Sequence, residues 1–113
     1  PQVIGRVIRE AVRRGAAVPV LPVEDTIKEA VGGRVVRTVD RANLYRAQTP
    51  QGFSYSVLAK GLLRAARERL TVTDDAALAE LAGAEVAAVA GDPRNIKVTT
   101  PSDLVLAEAL LAD

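Results

Sequence analysis

The chain contains no cysteine, no histidine, no methionine and no tryptophan among its 113 residues. Without cysteine it can form neither a disulfide framework nor a thiolate metal site, and without histidine it lacks the commonest general base and metal ligand. Aromatic residues make up only 3%, which excludes the aromatic platforms on which single-strand nucleic-acid binders stack bases. Any chemistry of this chain must therefore depend on positioning and charge.

Long apolar runs and a strong excess of one charge are also missing. No apolar stretch approaches the roughly 20 residues of a membrane span. Apolar residues make up 49%, charged residues 26%, and the net charge is +1. This balance predicts a packed core in a soluble cytoplasmic domain, and it argues against a nucleic-acid or membrane surface driven by bulk charge. Because Pro1 lies in what reads as the first turn of a helix, with no initiator Met before it, we expect a longer polypeptide.

Helical and strand-like patterns alternate along the first part of the chain. Apolar residues at helical spacing predict a helix over residues 1–14, with Gly15 just after its end. The Val-rich run 16–23 predicts a strand buried on both faces. Pro19 and Pro22 lack a backbone N–H and favour an edge strand or the end of the sheet.

The second part of the chain shows the same alternation, with clear helix starts. Ser54 is a typical N-cap for a helix whose apolar face follows it, and Asp74 or Asp75 begins a shorter helix. Residues 85–89 predict a strand. Residues 100–103, Thr-Pro-Ser-Asp, predict a helix start with proline in the first turn and an acidic side chain at the third position. The pattern indicates an α/β fold and one domain, or half of one.

Residues 26–39 predict a β-hairpin that turns at Gly32-Gly33. Because two isolated strands are only marginally stable in water, the apolar side chains of this hairpin must cover another surface. That surface is either another subunit or the chain's own sheet. The apolar residues concerned are Ile27, Val35, Val36 and Val39.

Five short polar segments carry most of the functional information. They are Asp25-Thr26-Ile27-Lys28, Thr38-Val39-Asp40-Arg41, Gln48-Thr49-Pro50-Gln51-Gly52-Phe53, Thr73-Asp74-Asp75-Ala76 and Asn95-Ile96-Lys97-Val98-Thr99-Thr100-Pro101. Their shared content is hydroxyl groups and positive charge, which are the groups that phosphate oxygens bind. They predict a phosphate-handling surface assembled from several loops.

In this order and with this spacing, the five segments resemble the methylerythritol-phosphate cytidylyltransferase family from Pro1 to about Leu111. The resemblance implies a three-layer, Rossmann-like nucleotidyltransferase fold of the nucleotide-diphospho-sugar transferase type, with the hairpin protruding as an arm. Members of that family are roughly twice this long, and their N-terminal half carries a Gly-rich nucleotide loop. No Gly-rich loop leads from a strand into a helix here. We therefore expect residues 1–113 to be the C-terminal portion of a single cytidylyltransferase domain.

The resemblance also implies a reaction, in which the cytidylyl group of CTP is transferred to methylerythritol 4-phosphate and pyrophosphate is released. This step belongs to non-mevalonate isoprenoid biosynthesis. Mg²⁺ is expected on the triphosphate, held mainly by ligands that this chain lacks, and no nucleic acid or membrane is expected as a partner. Two alternatives stay open. One is the related ribitol-phosphate cytidylyltransferase, although Thr-Val-Asp-Arg at 38–41 favours the first enzyme. The other is a non-catalytic dimerising or phosphate-binding module, if the chain is complete.

Five residues are carried over from the family as ligands of the substrates, and two of them, Lys97 and Arg41, are also the expected catalytic residues. The resemblance places Lys97 against the transferring phosphate, where it stabilises developing charge. It assigns Thr49 and Thr73 to the sugar phosphate. Thr26 and Arg41, near the base of the hairpin, are expected to reach the active site of the neighbouring subunit in a homodimer, and the planar fork of Arg41 suits a phosphate.

Each of these residues also has an ordinary structural explanation. A lysine or arginine beside a strand is commonly just solvated. For Lys97 the neighbouring Thr99 and Thr100, with free backbone N–H groups at a helix N-terminus, favour an anion instead. The adjacent Asp74 and Asp75 could hold a divalent cation, but helix capping is the commoner use of such residues. For Asp103, capping of the last helix and a contact with substrate stay open.

Overall fold

The computed structural model describes residues 1–112 and shows a four-stranded mixed sheet, a separate hairpin and four helices. The helices are α1 (Gln2–Arg14), α2 (Tyr55–Glu68), α3 (Asp75–Leu81) and α4 (Pro101–Leu111). The strands are β1 (Ala16–Pro22), β2 (Ile27–Val31), β3 (Arg34–Val39), β4 (Tyr45–Ala47), β5 (Gly52–Phe53) and β6 (Ala87–Ala90). Within residues 1–112 no helix has the length and hydropathy needed to cross a membrane.

Strand β1 lies in the centre of the main sheet. It pairs in parallel with β6 on one side, with Val18 opposite Ala88. On its other side it pairs antiparallel with β5 and then β4, with Ala16 opposite Phe53 and Leu21 opposite Arg46. Strand β6 begins two residues later than the predicted strand 85–89. The two segments between β4 and β5 and after β6 therefore emerge close to the middle of the sheet.

The central place of β1 corrects the prediction that its prolines put it at an edge. The carbonyl of Pro19 accepts a hydrogen bond from the backbone N–H of Gln48 at 2.8 Å. Since the N and C=O of one strand residue point to the same side, the missing donor of Pro19 faces the gap where the chain leaves β4 before β5 begins. Pro22 is the last residue of β1. Both prolines thus occupy places where their missing N–H groups remove few hydrogen bonds from the sheet, although the strand is central.

Helix α1 covers the sheet through only part of its apolar face. Val3 and Val7 are buried against Ala17 of β1 and against β6. Three further apolar side chains of this helix, Ile4, Ile8 and Val12, are exposed. Gly15 ends the helix in the left-handed conformation with φ 93°, as its position in the sequence predicted.

Helix α4 carries apolar side chains that no other element of the described chain covers. None of its residues is buried. The exposed apolar residues are Leu104, Val105, Leu106 and Leu111. Such contiguous apolar surface marks an interface in soluble proteins.

The hairpin forms its own two-stranded sheet, as the sequence predicted. Ile27 pairs with Val39 at its base, and Gly32 and Gly33 turn it with φ of 58° and 77°, the positive values of a type I′ turn. A bulge between Glu29 and Ala30 shifts the register. Apart from the half-buried Val39, every residue of β2 and β3 is exposed. Within residues 1–112 the hairpin therefore does not pack on the main sheet.

Candidate phosphate-binding site

Two loops that contain predicted ligand residues, Thr49 and Thr73, are each followed by a helix whose start is capped by a short side chain. Ser54 caps α2 by accepting a hydrogen bond from Val57, and Asp74 caps α3 by accepting one from Ala77 at 3.0 Å. The caps satisfy backbone N–H groups that have no partner inside the helix. For Asp74 the capping explanation is thus confirmed. The same contact fixes the position of the neighbouring Thr73, which is exposed.

A cavity of about 380 Å³ lies between the loop that joins β4 to β5 and the loop that follows β6. Two of the predicted ligands, Thr49 and Lys97, line it together. Its remaining wall is formed by Leu21, Arg46, Ala47, Gln48, Gln51, Asp74, Pro93, Asn95 and Ile96. The structure thus brings residues from three of the five polar segments to one place.

The turn formed by residues 48–51 is bound on both sides by side-chain amides. On one side the Nδ2 of Asn95 donates to the carbonyl of Thr49 at 2.7 Å. On the other side the Nε2 of Gln51 donates to the Oδ2 of Asp74 at 3.2 Å, and the Oε1 of Gln51 accepts from the backbone N–H of Ala76 at 2.9 Å. The Thr49–Pro50 peptide bond is cis. The turn is therefore connected both to the start of α3 and to the loop that carries Lys97.

The electrostatics of the cavity favour an anion. Its wall contains two cationic side chains, Lys97 and Arg46, and neither forms an ion pair within residues 1–112. Its one carboxylate, Asp74, already accepts two hydrogen bonds. The side-chain amides of Gln48, Gln51 and Asn95 are already hydrogen-bonded to backbone groups and to Asp74. Within residues 1–112 the two cations and the hydroxyl of Thr49 are therefore the main polar side-chain groups available to a ligand. Arginine and lysine are the side chains that bind phosphate oxygens most strongly.

The N-terminus of α4 differs from the sequence-based expectation of an anion site. The backbone N–H groups of Thr99 and Thr100 and the hydroxyl of Thr99 all donate to the carboxylate of Asp103, at 2.9–3.0 Å. Thr100 in turn accepts from the N–H of Asp103, which completes a capping box. These bonds hold the pKa of Asp103 below its ordinary value, and the bond from the backbone N–H of Thr99 has the largest effect. Asp103 itself is the anion at this helix start, and its capping role is confirmed.

Thr26 and Arg41 do not line the cavity of their own chain. They lie on either side of the base of the hairpin, just outside the pair formed by Ile27 and Val39. The guanidinium of Arg41 donates to the backbone carbonyl of Glu24. The neighbouring Asp40 caps a turn by accepting from the N–H of Ala42 at 3.0 Å. Thr26 and Arg41 are both exposed.

Arg46 is the residue of this site that the sequence did not reveal. It lies on β4, a strand of three residues that is too short to produce a readable alternation. Its partner across the ladder is Leu21, which also lines the cavity. Opposite residues of an antiparallel pair share one face of the sheet, so Arg46 lies on the cavity side. Only the pairing of β4 with β1, which is a tertiary contact, identifies the face of the sheet on which Arg46 lies.

Comparison with known proteins relates the whole chain to one group. The family described as IspD, 2-C-methyl-D-erythritol 4-phosphate cytidylyltransferase, matches residues 1–113. The chain is 53% identical over 114 residues to the 2-C-methyl-D-erythritol 4-phosphate cytidylyltransferase of Rubrobacter xylanophilus, covering 99% of this chain and 49% of that protein. It is 45% identical over 108 residues to the protein of the same name from Bacillus licheniformis, covering 96% of this chain and 47% of that protein.

A solved structure gives the same relationship. The crystal structure of 2-C-methyl-D-erythritol 4-phosphate cytidylyltransferase from Thermus thermophilus superposes with a TM-score of 0.88 at 44% identity, over 99% of this chain and 55% of that one. The chain thus spans about half the length of the Rubrobacter and Bacillus relatives that it matches. Its fold is that of about half of a Rossmann-like nucleotidyltransferase.

Proposed function

The chain belongs to the 2-C-methyl-D-erythritol 4-phosphate cytidylyltransferase family, and from this premise we propose that it forms the polyol-phosphate-binding part of such an enzyme. The reaction is transfer of the cytidylyl group from CTP to methylerythritol 4-phosphate, with release of pyrophosphate, in isoprenoid biosynthesis in the cytoplasm. The observation that supports it best is the cavity in which Thr49 and Lys97 meet with Arg46, while the side-chain amides of Gln51 and Asn95 are already hydrogen-bonded to other groups.

Within this cavity the roles follow from charge and reach. Lys97 stabilises the negative charge that develops on the phosphate undergoing transfer, since nucleotidyl transfer depends on alignment and charge neutralisation. Thr49, and Thr73 beside the capped start of α3, bind the sugar phosphate through their hydroxyl groups. None of these steps needs a histidine or cysteine, which agrees with the composition of the chain.

The hairpin acts as a dimerisation arm that carries Thr26 and Arg41 to the site of the partner subunit. Support comes from its apolar side chains, of which Val31 and Val35 are each 64% exposed within this chain. Further support comes from the position of Arg41 at the base of the arm, outside the cavity of its own chain. A homodimer accounts for both observations, because the arm then covers its apolar residues and completes the neighbouring site.

The apolar surfaces of α1 and α4 are covered by the remainder of one cytidylyltransferase domain, of which residues 1–113 are the C-terminal portion. This accounts for the exposure of Ile8 and Val12 on α1 and of Leu104 and Val105 on α4. It also agrees with the share of the relatives that the chain spans. Residues 1–113 alone are then inactive and prone to aggregate, because these surfaces face water.

A divalent metal, Mg²⁺ in our proposal, accompanies CTP and binds mainly to the triphosphate and to groups outside this chain. Residues 1–112 contain no cluster of three or more His, Cys, Asp or Glu side chains that could hold a metal ion. Of the carboxylates near the site, Asp74 and Asp103 are bonded to N–H groups of their own helix starts. We therefore assign no residue of this chain to the metal.

Two proteins test the proposal: the full native polypeptide, and a chimera that joins the N-terminal half of the Rubrobacter relative to Pro1 of this chain. We expect the chimera to release pyrophosphate from CTP in the presence of methylerythritol 4-phosphate, and to use ribitol 5-phosphate much less well. The intact Rubrobacter protein is the control for the assay. A folded, dimeric chimera without activity beside an active control would contradict the proposal. An active chimera and an inactive native protein of only 113 residues would identify the native chain as a non-catalytic module.

A further inference from the structure

The side-chain amide of Gln48 forms three hydrogen bonds with the loop that leads to Lys97. Its Nε2 donates to the backbone carbonyls of Asp92 at 2.9 Å and Asn95 at 3.0 Å, and its Oε1 accepts from the N–H of Asp92 at 3.1 Å. An amide group has two N–H donors and one carbonyl, so each is bonded. These contacts join residues 44 and 47 positions apart in sequence.

Gln48 is in turn fixed to the centre of the sheet. Its backbone N–H donates to the carbonyl of Pro19 on β1 at 2.8 Å. Asn95 completes the connection from the other direction, since its Nδ2 donates to the carbonyl of Thr49 at 2.7 Å. Lys97 follows two residues later and is exposed. The rigid part of the molecule nearest to Lys97 along this path is therefore the Gln48–Thr49 corner.

The close approach at Gly91 provides independent support. A Cβ atom on Gly91 would lie 2.2 Å from the Oε1 of Gln48 and 3.1 Å from the carbonyl of Val20. The φ of Gly91 is not in the left-handed region, so the backbone itself does not require glycine. The residue is small because the amide of Gln48 occupies the place of a side chain.

We propose that Gln48 is a positioning residue, which sets the distance between Lys97 and Thr49 by holding residues 91–97 against the sheet. This rests on the proposed function of Lys97 in cytidylyl transfer. It adds a residue that does not touch the reacting groups and acts on them through a loop. Displacement of a catalytic group by about 1 Å lowers a rate on the order of a hundredfold, so small changes at Gln48 are measurable.

Gln48→Glu in the full native polypeptide is the sharpest variant, because it keeps the shape of the side chain and replaces the two N–H donors by an oxygen that faces two carbonyls. We expect kcat to fall roughly ten- to a hundredfold, while the dissociation constants of CTP and methylerythritol 4-phosphate change about twofold or less. Gln2→Glu, on the exposed start of α1, is the control for the added charge and should keep the parent kcat. A Gln48→Glu enzyme with parent kcat would overturn the proposal.

A residue that acts through Lys97 loses its effect when Lys97 is absent. In a Lys97→Ala background, Gln48→Glu should therefore lower kcat by a further factor of only about two, because coupled residues are not additive. The same tenfold or greater loss in both backgrounds would show that Gln48 acts elsewhere. If Gln48→Glu does not fold, Gly91→Ala replaces it: the new methyl group displaces the Gln48 amide without a change in charge, and the same loss of kcat is expected.

Amide hydrogen exchange separates this proposal from the proposed function. Gln48→Glu should raise the exchange rate of residues 91–97 and Gln2→Glu should not, whether or not the polypeptide transfers cytidylyl groups. Unchanged exchange in this loop would overturn the role of Gln48. An inactive parent protein in which Gln48→Glu still releases the loop would contradict the proposed function and leave Gln48 as the residue that positions the loop.

Discussion

Gly61 and Gly5 lie inside helices, and the structure predicts opposite effects when each becomes alanine. Gly61 of α2 is buried where α2 crosses α3. A Cβ atom there would lie 2.0 Å from the carbonyl oxygen of Leu78 and 2.6 Å from its carbonyl carbon. Gly5 of α1 would meet only the end of the flexible Arg9 side chain, at 3.4 Å.

The expected cost at Gly61 follows from these distances. Ordinary contact begins near 3.4 Å, so α2 and α3 must separate by about 1.4 Å, the difference between 3.4 and 2.0 Å. The obstacle is the backbone of Leu78, which cannot rotate away as a side chain can. Overpacking of this kind costs about 1–3 kcal/mol, and the better helix propensity of alanine returns about 0.8–1 kcal/mol. We expect Gly61→Ala to lower the free energy of unfolding by up to about 2 kcal/mol, and Gly5→Ala to raise it by somewhat less than 1 kcal/mol.

Urea denaturation of the full native polypeptide measures both effects. With a slope of about 1–3 kcal/mol per molar urea, the midpoint should fall for Gly61→Ala and rise for Gly5→Ala. Because α3 carries Asp74 at its start, Gly61→Ala should also weaken binding of the polyol phosphate. A midpoint that rises equally for both variants would refute the close packing of α2 on α3.

Three further predictions concern the site. Lys97→Ala should lower kcat by roughly a hundred- to a thousandfold with little change in substrate dissociation constants, whereas Thr49→Val and Thr73→Val should mainly weaken substrate binding. Steady-state kinetics paired with calorimetric binding measures both effects. A Lys97→Ala enzyme with only a raised KM would contradict the role of Lys97 in the transfer step. Arg41→Ala should cost about 1.5–3 kcal/mol of polyol-phosphate binding. Mixing this variant with the Lys97→Ala protein should restore activity in about a quarter of the sites if subunits mix at random. A mixture with no more activity than the two variants measured apart would exclude a contribution from the partner subunit. Because the pKa of Asp103 is lower in the folded protein, its stabilising effect is present above the unfolded pKa of about 3.9 and is lost as pH falls through the folded pKa. When the free energy of unfolding is measured against pH, the parent protein should lose stability below about pH 4, and Asp103→Asn should remove this part of the loss. Identical acid profiles of the two proteins would refute the capping box.

Local signals in the sequence predicted the elements that depend on neighbouring residues. The hairpin turn at Gly32-Gly33 and the caps at Ser54 and Asp74 each need only a few consecutive residues, and each is confirmed. The family itself was also predicted, since its five polar segments occur in order and the family match covers residues 1–113. The roles of the individual ligand residues stay predictions.

Features that depend on distant contacts were missed or wrong. Pro19 favoured an edge strand because its missing N–H was visible in the sequence, whereas the gap in the ladder that accommodates it was not. The amide contacts of Gln48 span more than 40 residues, so no local pattern could reveal them.

The separate pairing of the hairpin has a consequence for limited proteolysis. Within residues 1–112, β2 and β3 pair only with each other, and a Cβ atom on Gly32 or Gly33 would meet nothing within 4 Å. A protease that cuts between these two glycines breaks no hydrogen bond of the sheet built on β1, and exposed tips of this kind are preferred cleavage sites. The nicked chain therefore keeps its core while its arm is divided into two strands held only by their own pairing. In the proposed homodimer the partner subunit covers the arm, so cleavage at this point should slow as the dimer forms.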